Sequence, residues 1–342
     1  MIDLSTLYLG LPLKNPFIIG ASNLVTDPSN LYKLEEAGAS AIVYKSLFEE
    51  QIQLESYQME DEMNLYSDWD AEHASIFPKL GHAGPDEHLF KLQQVKESLT
   101  IPVIGSLNCL FEETWEEYAI KMAETGIDAL ELNFYANAVD PKTQGTTIVG
   151  DQINLIKRVK EAVKIPVSIK ISPYYTNPQG VVMRMDEAGA DGFVLFNRLF
   201  QPDIDIDQEA HHFPYIFSQS TDNRLALRYA GLLHKQINGS IISNTGILTG
   251  GDAVKMILAG ADAVQIVSAI YKKGISHVTT MIEDMTEWMD AKGYKKLDDF
   301  RGKLSKANMT DPFAYKRAQY VDILLKSEIH MQYHPKEGED IL

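Results

Sequence analysis

The chain has 342 residues, long enough for one α/β barrel, which commonly fills about 250. With 48 acidic against 31 basic side chains, its formal charge of −17 argues against a broad nucleic-acid or anionic-membrane surface, where clustered Lys and Arg must neutralise phosphate. A single cysteine, Cys109, excludes an intrachain disulfide, and no run of about 18 apolar residues is present to insert into a membrane, so a cytoplasmic protein is expected.

The opening residues, MIDLSTLYLGLPLKNP, lack the charged and apolar regions of a signal peptide. Leu4–Tyr8 and Leu11–Leu13 flank Gly10 and read as a hairpin that plugs the floor of a barrel. Strands are expected at about 16–21, 40–45, 102–108, 128–134, 166–171, 191–197, 240–244 and 262–267. A recurring phrase marks them: EEAGAS, ETGID, DEAGAD and LAGAD each combine the last turn of a helix, a Gly stop and the start of an apolar strand. The phrase IPV opens strands at 101–103 and 165–167. Repeated αβ units imply a parallel sheet with right-handed crossovers, and eight of them favour a (β/α)8 TIM barrel over an open sheet. No Gly/Ser linker divides the chain, so residues 1–342 read as a single domain. The barrel is expected over about 16–290 and a C-terminal helical extension over about 295–333, fraying from His334. That extension is expected to pack outside the barrel or on a partner subunit. Two long connections, Glu49–Pro85 after strand 2 and Leu199–Asn223 after strand 6, leave the catalytic face of the barrel and read as lids.

Two features point to chemistry. The first is Ile241–Ala269, which reads as strand, Gly-rich turn, helix capped by Asp252, Gly260 stop and strand. Two successive strand ends, each followed by a helix start, make a phosphate cradle, although an ordinary βαβ unit has the same outline. The second is alternation within strands. It places Lys45 with Ala41 and Val43, Ser106 with Asn108, and Glu131 with Asn133. Ser168, Lys170 and Ser172 share a face, Asn197 goes with Phe193 and Leu195, and Gln265 lies opposite Val264 and Ile266. Barrel cores are mostly branched aliphatics, so these polar groups need a ligand or one another. Glu131 is expected to pair with Lys170 or Lys45.

Taken in order, LGLPLKNPFIIGAS, YKS, LELN, IKISPY, FNR and NTGILTGGDAVKMILAGADAVQI resemble the dihydroorotate dehydrogenase superfamily of FMN-dependent barrels, from about Leu4 to Gly274. The likeness is greatest to its dihydroorotate dehydrogenase-like subgroup, which shares the C-terminal extension. The resemblance implies an FMN oxidoreductase that passes hydride between flavin N5 and a dihydropyrimidine-like CH–CH bond. It puts Ala21 and Ser22 at the flavin ring, and Lys45 and Ser46 along the isoalloxazine and the substrate side. Asn108 and Asn133 would bond flavin or substrate edges, and Lys170 would sit by the flavin N1/O2 end. Asn197 would meet a substrate amide, and the backbone around Thr245, Gly246, Ser268 and Ala269 would hold the phosphate. The catalytic set it implies is Lys45 and Lys170, with Tyr135 as a replacement base.

The replacement is needed because the family usually reads N-L-S-C-P-N after strand 4, with its cysteine or serine as the base. This chain reads Asn133-Phe134-Tyr135-Ala136-Asn137-Ala138, and Ala136 cannot take a proton. Cys109, His211 and His212 are further base candidates. Two other readings stay open: a flavin- or pyrimidine-binding barrel without turnover, and a lyase using Lys170 or Lys45 as a Schiff base. No metal site is expected. The expected partner is a small pyrimidine-like substrate, with the electron acceptor open and a homodimer as the expected assembly.

Overall fold

The computed structural model describes residues 2–53, 84–110, 112–135, 141–198, 201–214 and 216–326. An antiparallel hairpin, β1 (Thr6–Tyr8) and β2 (Leu11–Leu13), precedes the barrel. The barrel begins with β3 (Phe17–Ile19), β4 (Ala41–Val43) and a short continuation, β5 (Leu47–Phe48). It goes on through β6 (Val103–Asn108), β7 (Ala129–Asn133), β8 (Val167–Ile171) and β9 (Gly192–Leu195). A second hairpin, β10 (Asp203–Asp205) with β11 (Ala210–His212), interrupts the series before β12 (Ser240–Ser243) and β13 (Ala263–Ile266). Every barrel pairing is parallel. Because β4 pairs with both β3 and β6 while β3 pairs with β13, the sheet closes on eight strands. The (β/α)8 reading is correct, and each of the eight strands that close the barrel falls within its expected span; the short β5 lies beyond the span expected for strand 2.

Between strands run α1 (Pro28–Glu36), α2 (Pro85–Ser98), α3 (Glu112–Glu124), α4 (Gly145–Ala162), α5 (Pro178–Glu187), α6 (Arg224–Leu233) and α7 (Gly250–Ala259). After β13 come α8 (Ser268–Lys273) and α9 (His277–Lys292). The Gly stops act as expected: Gly260 ends α7 at φ 125°. One cap differs. Thr249, not Asp252, is the N-cap of α7, and Asp252 sits at N3 and returns the bond in a capping box. No described helix is long and apolar enough to cross a membrane.

Two apolar layers result. The larger lies between strands and helices. The smaller fills the lower barrel, where Ala41, Ala129 and Ala263 leave room for Tyr8, Leu9 and Leu13 of the first hairpin. Thr6 Oγ1 donates to Asp262 O at 2.9 Å and Leu9 N to Ser240 Oγ at 3.1 Å, tying the hairpin to the N-terminal ends of β12 and β13. The expected floor plug is therefore present.

The C-terminal extension needs correcting. From Lys295 to Lys316 it is turns and 3-10 segments, and only α10 (Arg317–Leu325) is α-helical. Gly302, at φ +65°, and Pro312 both interrupt a helix there. It docks outside the barrel. Phe300 packs on Trp288 and Tyr294, and Arg301 bonds Ala261 O at 2.8 Å and Thr6 Oγ1 at 2.9 Å. Most of the first expected lid (54–83), Ala136 and the tail from 327 lie outside the described residues. The second lid, expected as a loop, carries the β10–β11 hairpin, whose edges are exposed.

Candidate active site

Inward positions of the barrel change character with height. Ile104, Ala129 and Ala263 are apolar, and one step up come Ser106, Glu131 and Gln265, with Ser168 in register beside Glu131. Above them Asn133 and Lys170 stand side by side in the β7–β8 register. Alternation alone predicts this stack, because one face of each strand is read two residues at a time.

The polar stack is internally connected. Gln265 Nε2 donates to Glu131 Oε2 at 2.6 Å. Lys170 Nζ lies 3.5 Å from Gln265 Oε1 and 3.5 Å from Glu131 Oε1. Glu131 and Gln265 are completely buried and Lys170 is 6% exposed. Of the two lysines expected as partners for Glu131, Lys170 is the one that pairs. Asn197 Nδ2 donates to Asn133 Oδ1 at 2.7 Å, which joins two residues expected at the substrate. Phe193 and Leu195, however, belong to the outer layer while Val194 faces inward, so Asn197 does not share their face. Phe196 also turns outward, onto Tyr229, with ring centroids 5.4 Å apart, and alternation fails between Leu195 and Asn197.

One cleft gathers Ala21, Lys170, Asn197, Thr245, Gly246 and Ser268, six of the residues singled out above. Its far wall is the loop after β12. Thr245 and Gly246 both take positive φ, 71° and 72°, so Thr245 adopts a backbone shape that ordinarily favours glycine. Thr245 N donates to Asn244 Oδ1 at 2.7 Å and its hydroxyl to Phe196 O at 3.0 Å, which offsets the strain. The amides of Gly246, Ile247, Ser268 and Ala269 donate to no acceptor among the described residues. Ser22 Oγ is buried without a hydrogen-bond partner. Ser268 Oγ instead accepts from Ser218 N at 3.1 Å, and Ala269 is buried behind it. Sequence reasoning missed Ser218, because its lid loop carries no periodic signal.

Lys45 and Asn108 are half-buried and their side chains form no ion pair or hydrogen bond among the described residues. Ser46 shares a 2.7 Å hydrogen bond with Ser106. Tyr135 does not join the Lys170 cluster. It lines a neighbouring groove with Ser172, Tyr174 and Tyr175, and is 41% exposed. Burial and the nearby Glu49 and Glu50 push the Cys109 thiol well above its ordinary range, so it stays protonated at neutral pH and is a poor base. His211 and His212 are exposed on β11, His212 lying 3.8 Å from Asp203. Ala136 itself lies outside the described residues. The described residues contain no group of three or more His, Cys, Asp or Glu able to hold a metal.

A closed parallel barrel with a buried cation–carboxylate pair near its mouth and free amides on the last two loops has the build of a barrel enzyme, whose site lies at the C-terminal ends of the strands. The sequence matches the dihydroorotate dehydrogenase family over residues 3–289, and the chain belongs to that family. A dihydroorotate dehydrogenase B (NAD(+)) catalytic subunit from Thermoplasma volcanium is 28% identical over 311 residues, covering 88% of this chain and 98% of the relative. Its counterpart from Thermoplasma acidophilum is 29% identical, with 88% and 99% covered. The NAD-dependent dihydropyrimidine dehydrogenase subunit PreA of Escherichia coli is 24% identical, covering 88% of this chain and 76% of the relative.

Proposed function

We propose that this chain is an FMN-dependent oxidoreductase that moves hydride to or from a CH–CH bond beside a carbonyl in a dihydropyrimidine-type ring. Membership of the dihydroorotate dehydrogenase family supports this, as do relatives named for dihydroorotate and dihydropyrimidine. The observation that carries the site assignment is the Lys170 ammonium. It is buried, and its two acceptors both stand at 3.5 Å, beyond the roughly 2.7–2.9 Å of a good charge-assisted bond. A cation so placed lacks acceptors on its cleft side, where a flavin ring would supply them. The buried, unpartnered Ser22 hydroxyl and the free amides fit the same group.

FMN, when bound, supplies a two-electron hydride acceptor. The chain supplies the rest. The amides around Thr245, Gly246, Ser268 and Ala269 hold the phosphate, and Ala21 and Ser22 approach the ring through backbone. Lys170 stabilises negative charge at the cleft in a low-dielectric setting. The Asn133–Asn197 pair orients the amide edge of the substrate. Lys45, Ser46 and Asn108 complete the rim, with Lys45 free to meet a substrate anion. The proton at the carbon next to the hydride carbon needs a base other than Ala136, and Tyr135, which lines the neighbouring groove, is the residue to test for that role.

Two relatives are named as catalytic subunits and a third as a subunit, which supports a second, electron-carrying chain as partner. A homodimer is the proposed state of the isolated chain. α10 is mostly apolar and buries none of its residues, a surface that a second copy would cover. Sedimentation of the purified chain tests that assembly. For the activity, heat-released cofactor should be FMN and not FAD, and a reduced pyrimidine from an anaerobic panel should bleach the flavin absorbance. A colourless protein that takes up no added FMN sinks the reading. Retained colour with no bleaching by any reduced pyrimidine or cyclic amide would favour a binding protein without turnover.

A further inference from the structure

Glu131 is the least explained residue of the site. It is a fully buried carboxylate whose oxygens are treated unequally. Oε2 accepts a short hydrogen bond from Gln265 Nε2, 2.6 Å, whereas Oε1 accepts none and lies 3.5 Å from Lys170 Nζ. Gln265 closes the triangle, its own oxygen 3.5 Å from the same ammonium. The amide orientation is the one that two opposite charges demand, oxygen toward the cation and N–H toward the anion. Ser106, Ser168 and Tyr8, the other polar groups packed around this level, are uncharged. Burial first, and then the Glu131 charge, hold the Tyr8 hydroxyl protonated.

A loosely paired carboxylate directly beneath an ammonium changes what the cleft experiences. The field at the barrel mouth is that of a dipole, with the cation at the cleft and the anion one layer down, not that of an isolated lysine. Both charges sit where water cannot screen them. At 3.5 Å from Oε1 the ammonium is held only loosely by the carboxylate, and Lys170 lines the cleft.

We infer that Glu131 is a positioning residue and counter-charge that lowers the redox potential of the bound flavin, Gln265 holding its carboxylate so that it both restrains Lys170 and partly cancels that lysine's pull on electrons. This rests on the flavin reading above. It predicts opposite signs for the two partners: neutralising Lys170 lowers the potential and neutralising Glu131 raises it. An ion pair with a purely structural role would change stability and leave the potential where it was.

The experiment is reductive titration of the FMN-loaded chain against a reference dye, with Glu131→Gln, Glu131→Asp and Lys170→Met beside wild type. In Glu131→Gln, binding of reduced relative to oxidised FMN should tighten by about tenfold, equivalent to a rise of about 30 mV for a two-electron couple. Glu131→Asp keeps the charge and should stay close to wild type, and Lys170→Met should move the other way. Should Glu131→Gln fail to retain flavin, Glu131→Asp against Glu131→Asn repeats the comparison with two side chains of equal shape. FMN held at an unmoved or lower potential after the charge is removed overturns this inference alone. A wild-type chain that takes up no FMN overturns the flavin reading as well.

Discussion

Gly246 stands where the phosphate amides are expected, and its position tolerates nothing larger. At φ +72° a Cβ is strained, and it would lie 2.6 Å from Asn223 N and 2.7 Å from Gln219 O, both rigid backbone. Gly246→Ala should cost about 1–3 kcal/mol and push the 219–223 turn off the loop. We expect at least about a tenfold loss of FMN affinity in a fluorescence titration, the equivalent of 1.4 kcal/mol. Unchanged affinity together with an unchanged melting temperature would place the phosphate elsewhere. Ala136 is the opposite case, a residue notable for what it cannot do. A positioned base is worth about 10²–10⁴ in rate, and alanine supplies none. Dihydroorotate should therefore reduce wild-type flavin slowly at neutral pH. If the pocket still accepts it, Ala136→Cys should accelerate anaerobic reduction with a pH profile following thiol ionisation. Fast wild-type reduction that survives Tyr135→Phe would remove Tyr135 from that role.

Among the elements, α2 carries a buried histidine that ties stability to pH. His88 packs edge-on to Tyr44, ring centroids 5.3 Å apart, with Nε2 unpartnered. Burial first, then the positive charges of Lys45 and Lys91, hold its pKa down to about 4. The folded state thus prefers neutral imidazole. Its stability contribution is complete above the unfolded value of about 6.5 and is lost as pH falls toward 4. About 2 kcal/mol should be gone by pH 5, on top of whatever the carboxylates contribute. His88→Phe should lack this component, so the difference in urea-unfolding free energy between pH 7.5 and pH 5 should shrink by that amount. An equal difference in both proteins would show that His88 is already satisfied. Legibility in the sequence was also decided at the level of elements. All eight barrel strands were readable, because period-two alternation and Gly stops are local signals. So was the polar stack of Glu131, Lys170 and Gln265, since a barrel strand sends alternate residues inward. Four things were not readable. Alternation breaks between Leu195 and Asn197, which no propensity reports. The β10–β11 hairpin has exposed edges and little apolar pattern. The extension is helix-rich in composition yet interrupted by Gly302 and Pro312. Which lysine meets Glu131 is a matter of cross-barrel distance, invisible along the chain.

At the scale of the whole molecule the question is where the electrons go. The family's barrel accounts for residues 3–289, and the chain adds an extension docked by Phe300 and Arg301 against the barrel exterior. Docked in this way it should unfold with the barrel, so the single-domain reading predicts one cooperative transition followed by flavin release. The cleft that gathers the site residues has Lys170 on one side and the loop after β12 on the other, and the flavin reading proposed for it calls for a single nucleotide. Relatives that cover nearly their whole length against this chain are named as catalytic subunits of NAD(+)-linked enzymes, so a partner chain is the proposed route to the nicotinamide. A formal net charge of −17 over the chain favours a partner with a basic face and an association that weakens with salt. The expected behaviour of the purified chain alone is therefore half of a catalytic cycle. Substrate should bleach one equivalent of flavin anaerobically, and added NAD(+) should restore the colour only very slowly. A small artificial acceptor such as a soluble quinone should restore it quickly, because it needs only access to the flavin edge. Stopped-flow traces with NAD(+), with the quinone and with neither separate these rates. Rapid reoxidation by NAD(+) in the absence of any other protein would show that this barrel receives the nicotinamide itself, and the proposed partner would then have no electron to carry.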